Sequence, residues 1–211
     1  MSDHSSFDKI IVFDSTNMIY LRQFKIKPMF VSNMKIDLFD EQHLLYLSDN
    51  SDDKIVVHYS ETDKFKNVIK IMKPNFLELN KDFLFVTSQP SFNLNKKARR
   101  LEGLQKGSNC VFILNKSNYE IIKRITFENW LVPFGIQLDE NSNILTTASQ
   151  LSETRIVSDN PYLYIINLDG DLLQKIEIDV ALRRPCSISF YNDLFFLCDD
   201  SILSIFEICS V

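Results

Sequence analysis

Glycine is scarce, with four residues in a chain of 211, and there are six prolines and a single tryptophan. Tight turns therefore fall to Asn, Asp and Ser, which tolerate unusual backbone angles or bond back to the main chain. No segment is of low complexity, and no apolar run approaches the roughly 18 residues that span a bilayer. The opening "MSDHSSF" lacks a basic-then-apolar leader, so a cytoplasmic protein with no membrane contact is expected. None of the four cysteines forms a C-x-x-C pair, and His4, His43 and His58 do not cluster with them. That removes the spacing a structural zinc site needs. A disulfide framework is not expected either, and the thiols read as small buried hydrophobes. There is no G-x-S-x-G, P-loop, H-E-x-x-H or Gly-rich dinucleotide turn. No catalytic residue, metal or cofactor is expected.

Apolar residues make up 45% of the chain and aromatics 12%, with 17 phenylalanines, which suits a sheet-packed interior. The net charge of −5 does not describe a molecule built as a whole for nucleic acid. The stretch "YLYIINLDGDLLQKIEI" (162–178) reads as a β-hairpin about Asp169-Gly170, since glycine accepts positive φ without steric cost. Similar hairpins start at Lys9, Lys54 and Cys110, and half of another at Ile202. Their spacing of 40 to 56 residues marks a repeat architecture.

A second kind of hairpin lies between them. "KIDLFDEQHLLYLSD", "FLELNKDFLFVTS", "PFGIQLDENSNILTTAS" and "PCSISFYNDLFFLCDD" each rise as an alternating strand, turn, and return as an apolar one. The first strands align at Ile36, Leu77, Ile136 and Ile188, and the second at Leu44, Phe83, Ile144 and Leu194. A small residue follows at Ser48, Thr87, Ala148 and Cys198. Two hairpins make a four-stranded unit, the signature of a propeller blade. The fold class read from the sequence is thus all-β, a β-propeller of about four blades. Residues 1–8 are expected to form a disordered tail and residues 9–211 a single repeat domain.

"PFGIQLDENSNILTTAS" resembles the NHL repeat in Pro133, Gly135, Ile136, Leu138, Asp139, Asn143 and Ile144. "IDLFDEQHLLYLSDNSDDKIVVH" is similar and keeps Ser48-Asp49, whereas the other two copies lack the glycine. The resemblance to NHL and related six-bladed, TolB-like propellers covers most of residues 9–208. It implies a binding platform for protein or RNA. Some related propellers are lactonases or lyases with a metal in the channel, so a metal-assisted lactonase- or esterase-like hydrolase is the alternative.

The pattern opens in mid-unit with two strands, runs through three full units and ends three strands into another, 17 strands in all. That is short of a six-bladed ring, so an incomplete ring is favoured over a closed four-bladed one. The missing blades would come from a longer chain or another molecule, or the chain would associate with itself. Its ends would expose several of Ile10, Ile11, Val12, Ile202, Leu203 and Phe206, and exposed apolar faces mark interfaces.

Two insertions break the pattern. "QPSFNLNKKARRLEGLQKGSN" (89–109) gathers Lys96, Lys97, Arg99, Arg100 and Lys106 against one acid, Glu102. It reads either as a solvated loop or as a contact for an acidic or phosphate-bearing partner, protein or RNA. "QLSETRIVSDNP" (150–161) occupies the same place in the next unit, so both emerge on one face, where repeat proteins often bind. Trp130 precedes the Pro133 strand and reads as core or as an anchor on that face.

Overall fold

The computed structural model describes residues 9–14, 16–25, 31–62, 64–89, 109–128, 131–150, 161–179, 187–191, 194–199 and 203–207. The expected N-terminal tail lies outside them. All regular structure among these residues is β. Blade I is the hairpin β1 (Lys9–Phe13) and β2 (Tyr20–Lys25). Blade II contains β3 (Val31–Ile36), β4 (Leu44–Asp49), β5 (Lys54–Tyr59) and β6 (Phe65–Lys70). Blade III contains β7 (Pro74–Leu79), β8 (Phe83–Ser88), β9 (Cys110–Asn115) and β10 (Ile121–Thr126). Blade IV contains β11 (Leu131–Leu138), β12 (Ile144–Gln150), β13 (Tyr162–Ile166) and β14 (Leu172–Glu177). Blade V has β15 (Ser187–Tyr191), β16 (Leu194–Cys198) and β17 (Leu203–Glu207). Every pairing is antiparallel between sequence neighbours, and the 17 strands divide as the sequence pattern did.

The blades stack face to face in chain order, and the core consists of the layers between them. Leu44, Tyr46, Ile55 and Val57 of blade II meet Leu77, Val86, Phe112 and Leu114 of blade III. Phe85, Val111 and Ile113 of blade III meet Ile136, Ile144, Tyr164 and Ile166 of blade IV. Leu145, Leu163 and Ile178 meet Ile188, Phe195 and Leu197 of blade V. Ile10 and Val12 pack on Leu45 and Leu47. Each blade thus has a trailing face towards its predecessor and a leading face towards its successor. Successive first strands touch, β3 with β7, β7 with β11 and β11 with β15. Among the described residues no comparable contact joins β15–β17 back to β1–β3, so the described strands form an open arc.

Turn chemistry follows the poverty in glycine. Asx side chains bond to the backbone just ahead of them at Asp14, Asp40, Asp49, Asn80, Asn115 and Asp139. His43, Asp53, Lys73, Tyr119 and Ser142 hold the left-handed conformation that glycine would otherwise take. Gly170 takes it too, at φ +84°, but Asp169 does not. The hairpin turn is therefore a longer loop closed by Gly170 N donating to Asn167 O, with the glycine ending it, rather than a two-residue turn.

Register corrects the repeat alignment. Ser48 pairs with Ile55, Thr87 with Val111, Thr147 with Leu163 and Cys198 with Leu203. The third member of the small-residue column is thus Thr147, not Ala148. Ile144 likewise belongs with Leu45, Leu84 and Phe195 on the trailing face, and Met34 takes the place given to Ile36. The turns between first and second strands differ in length, and one residue of slip moves every side chain to the other face.

Candidate functional site

Antiparallel order gives the arc two ends. One carries the turns inside each hairpin. The other carries the crossovers from second to third strands and from blade to blade. At this crossover end blades II, III and IV are fastened together by polar groups. Asn50 Nδ2 donates to Lys73 O at 3.2 Å and Gln89 O at 3.3 Å. Lys73 N donates to Asp53 Oδ1 at 2.9 Å, and its ammonium lies 3.3 Å from the same oxygen. Gln89 is buried, and its Nε2 donates to Pro133 O of blade IV at 2.6 Å. Ser48 Oγ crosses from blade II to Asn75 O at 2.6 Å, and Leu77 N donates to Asn33 Oδ1 at 3.1 Å. Apart from the Lys73–Asp53 ion pair, each of these engages a backbone group at a strand end or in an irregular first strand, where an unpaired buried group is costly. β3, β7 and β11 all shift register in this region.

The acids at 49–53 are absorbed by that fastening. Asp49 Oδ1 accepts from Ser51 N, Ser51 Oγ and Asp52 N. Lys54 Nζ sits 2.6 Å from Asp52 Oδ2 and 3.4 Å from Asp49 Oδ2. The hydrogen bond from Lys54 lowers the Asp52 carboxyl below its usual range, and the same bond raises the lysine. Among the described residues no three His, Cys, Asp or Glu side chains gather as a metal site would require. Cys110 is a buried thiol whose pKa is raised by burial, while Cys198 is half-buried on the leading face of blade V.

Lys96, Lys97, Arg99, Arg100, Lys106 and Trp130 all lie outside the described residues. Their points of departure do not. The 90–108 segment leaves from Gln89 and returns at Asn109, whose Nδ2 donates to Phe127 O at 3.0 Å. The 151–160 segment leaves from the end of β12 and returns at Pro161. Glu128 O accepts from Leu131 N at 3.1 Å across the pair that includes Trp130. All three connections start from the crossover end of blades III and IV, as the repeat pattern requires. The fastening residues Asn50, Lys73 and Gln89 escaped the sequence reading, because amides and lysines at strand ends have no periodicity to mark them.

The ends of the arc are the other notable surface. Ile11, Phe13, Met34 and Ile36 are half-exposed at one, and Leu203 and Ile205 at the other. Ile10 and Val12 are instead partly buried on blade II and Phe206 on blade IV, and Ile202 is outside the described residues.

No protein-family model and no curated protein matches the sequence. Solved structures do. The chain is similar to the WD40 β-propeller domain of Doa1, with a TM-score of 0.59, 12% identity, and 88% of this chain aligned to 53% of that one. It is also similar to hydrazine synthase of Kuenenia stuttgartiensis, with a TM-score of 0.62, 10% identity, and 95% of this chain on 57% of that one. A protein of unknown function from Bacteroides caccae aligns with a TM-score of 0.51 and 10% identity over 73% of this chain and 49% of that one. The fold is a β-propeller arc. It spans about half the length of the solved chains it matches. No helix among the described residues is long and apolar enough to cross a membrane.

Proposed function

We propose that residues 9–211 form a non-catalytic propeller interaction domain of the NHL type. It works in the cytoplasm within a larger assembly and binds a protein partner at its crossover end. One observation carries the reading. The two longest connections leave the same end of neighbouring blades III and IV, from strand ends fastened by the Gln89–Pro133 bond. Loops on a rigid base are where scaffold proteins place recognition. The basic residues Lys96, Lys97, Arg99, Arg100 and Lys106 in 89–109 suit an acidic surface, and Trp130, in a connection that starts from the same end, would supply an aromatic anchor.

Binding of poly-glutamate and of single-stranded RNA, followed by fluorescence anisotropy over a salt series, tests the reading. The acidic polypeptide is expected to bind. Replacing Lys96, Lys97, Arg99 and Arg100 with Ser should weaken binding and flatten its salt dependence. Unchanged affinity would remove the loop from the binding face, and a preference for RNA would change the class of partner. Elemental analysis beside a lactone and ester panel tests the non-catalytic part. Hydrolysis that depends on a stoichiometric divalent ion would overturn it.

A further inference from the structure

The last strand of blades I to IV is the outer edge of its sheet, and it is irregular at the same place each time. β2, β6, β10 and β14 all shift register at their second residue, so Leu21, Lys66, Ile122 and Leu173 stand outside the ladder. In the neighbouring blades III and IV the strand also opens on two apolar residues. Ile121 and Ile122 are exposed at 50% and 54%, and Leu172 and Leu173 at 54% each. Gly170, in the turn that leads into β14, packs on Lys123 and Ile125 of β10, so the two pairs lie side by side on the rim. None of the four belongs to a core layer between blades, and an exposed apolar patch marks an interaction site.

Charge frames the patch. On its turn side stand the exposed acids Glu120, Asp169 and Asp171. On its other side stand the exposed bases Lys123, Arg124 and Lys175. Two of these cations are held over rings, Arg124 at 5.8 Å from the centroid of Phe112 and Lys175 at 4.0 Å from that of Tyr162. The only acid in β10 and β14 is Glu177, the last residue of β14.

These features choose between occupants. An added β-strand needs a regular free edge, and bulges with lysines beside them keep edges from pairing. An anionic membrane resting on the patch would also meet the acidic turns, which it repels. A helix meets neither obstacle. Stacked sheets lie ~10 Å apart and two helical turns advance about 11 Å, so one helix can set an apolar side chain on each blade.

We propose that the rim of blades III and IV binds an amphipathic helix of a partner protein. The helix lies across β10 and β14 with its apolar stripe on Ile121, Ile122, Leu172 and Leu173. Its acidic flank faces Lys123, Arg124 and Lys175, and its basic flank faces the turns. The site is separate from the crossover end and does not depend on what binds there.

The probe is a synthetic helix of about five turns, with Leu along one stripe, Glu on one flank and Lys on the other. Fluorescence anisotropy of the labelled peptide against the full chain should show saturable binding. Ile122→Ser with Leu173→Ser should weaken it at least about tenfold and leave the circular dichroism unchanged, since both side chains are exposed. Lys123→Glu should weaken it too, and more at low salt than at high. A helix with the same stripe but both charges scattered over both flanks should bind more weakly. Absence of saturable binding, an affinity that survives the double Ser variant or Lys123→Glu, equal binding of the scattered helix, or tighter binding of phosphatidylserine vesicles would each overturn the proposal.

Discussion

Ile11 and Phe112 stand at the same place on the third strands of blades I and III and face the same way, yet Ile11 is 50% exposed and Phe112 5%. Their hairpins share one register, Lys9 opposite Lys25 and Cys110 opposite Thr126. The difference is the neighbour: blade II covers Phe112, and no described strand covers Ile11. In dilute single chains, Phe112→Ala should lower stability by about 3–5 kcal/mol. Ile11→Ala should stay within about 0.5 kcal/mol. Urea denaturation of the two variants measures both, and equal losses would show that the end face is covered.

The hairpin-turn end is held by an ion pair between blades. Lys116 Nζ lies 2.6 Å from Asp37 Oδ2, whose side chain is fully buried, and donates to Asn80 O at 3.0 Å. Lys116→Met would leave that carboxylate buried and unpaired, so a loss of about 3–5 kcal/mol is expected. Adding Asp37→Asn should recover part of it, because the uncompensated charge is then gone. A double-mutant cycle in urea reads the coupling.

Turn backbone gives two changes of opposite sign. A Cβ on Gly170 would meet Lys123 Cε at 3.1 Å and Ile125 Cγ1 at 3.3 Å, and φ is +84°. Gly170→Ala should therefore destabilise by about 1 kcal/mol or more. Ser142 already sits at φ 64°, so Ser142→Gly should stabilise by up to about 1 kcal/mol, relief of strain exceeding the added chain entropy. Melting temperatures of the two variants should move in opposite directions.

Tyr46 is fully buried, and its pKa is raised far above the ordinary 10, first by burial and then by Tyr119, Asp37 and Asp40. Tyr119 and Tyr164 are raised by burial too. The native state holds these phenolic protons more tightly than the unfolded chain does. Their contribution is therefore intact below pH 10 and is lost as the pH climbs past it. In an alkaline titration, part of the phenolate absorbance should appear only together with loss of the near-ultraviolet circular dichroism. Tyr46→Phe should move that unfolding to higher pH.

Strand order and blade grouping were legible because apolar runs and polar turns repeat, and because Asn and Asp mark turns in a chain with few glycines. The face of each strand was less so. Ala148 and Thr147 are neighbours of similar size, and only the pairing with Leu163 shows which one points to blade V. Ile176 alternates with Lys175 as in a half-buried strand, yet all of β14 is exposed. Sheet twist carries outermost strands away from their neighbours, which periodicity alone does not report. The Gln89–Pro133 and Lys116–Asp37 ties join residues far apart in the chain and have no local signature.

The open arc itself is tested most directly by pulsed electron paramagnetic resonance, with spin labels at the exposed Gln23 of β2 and Ser189 of β15. Labelled chain is diluted into unlabelled chain, so that only distances within one molecule are read. An arc whose first and last blades stand apart predicts a separation several times the ~10 Å between stacked sheets. A separation near that spacing would mean that blades I and V of one chain meet, and would contradict the account.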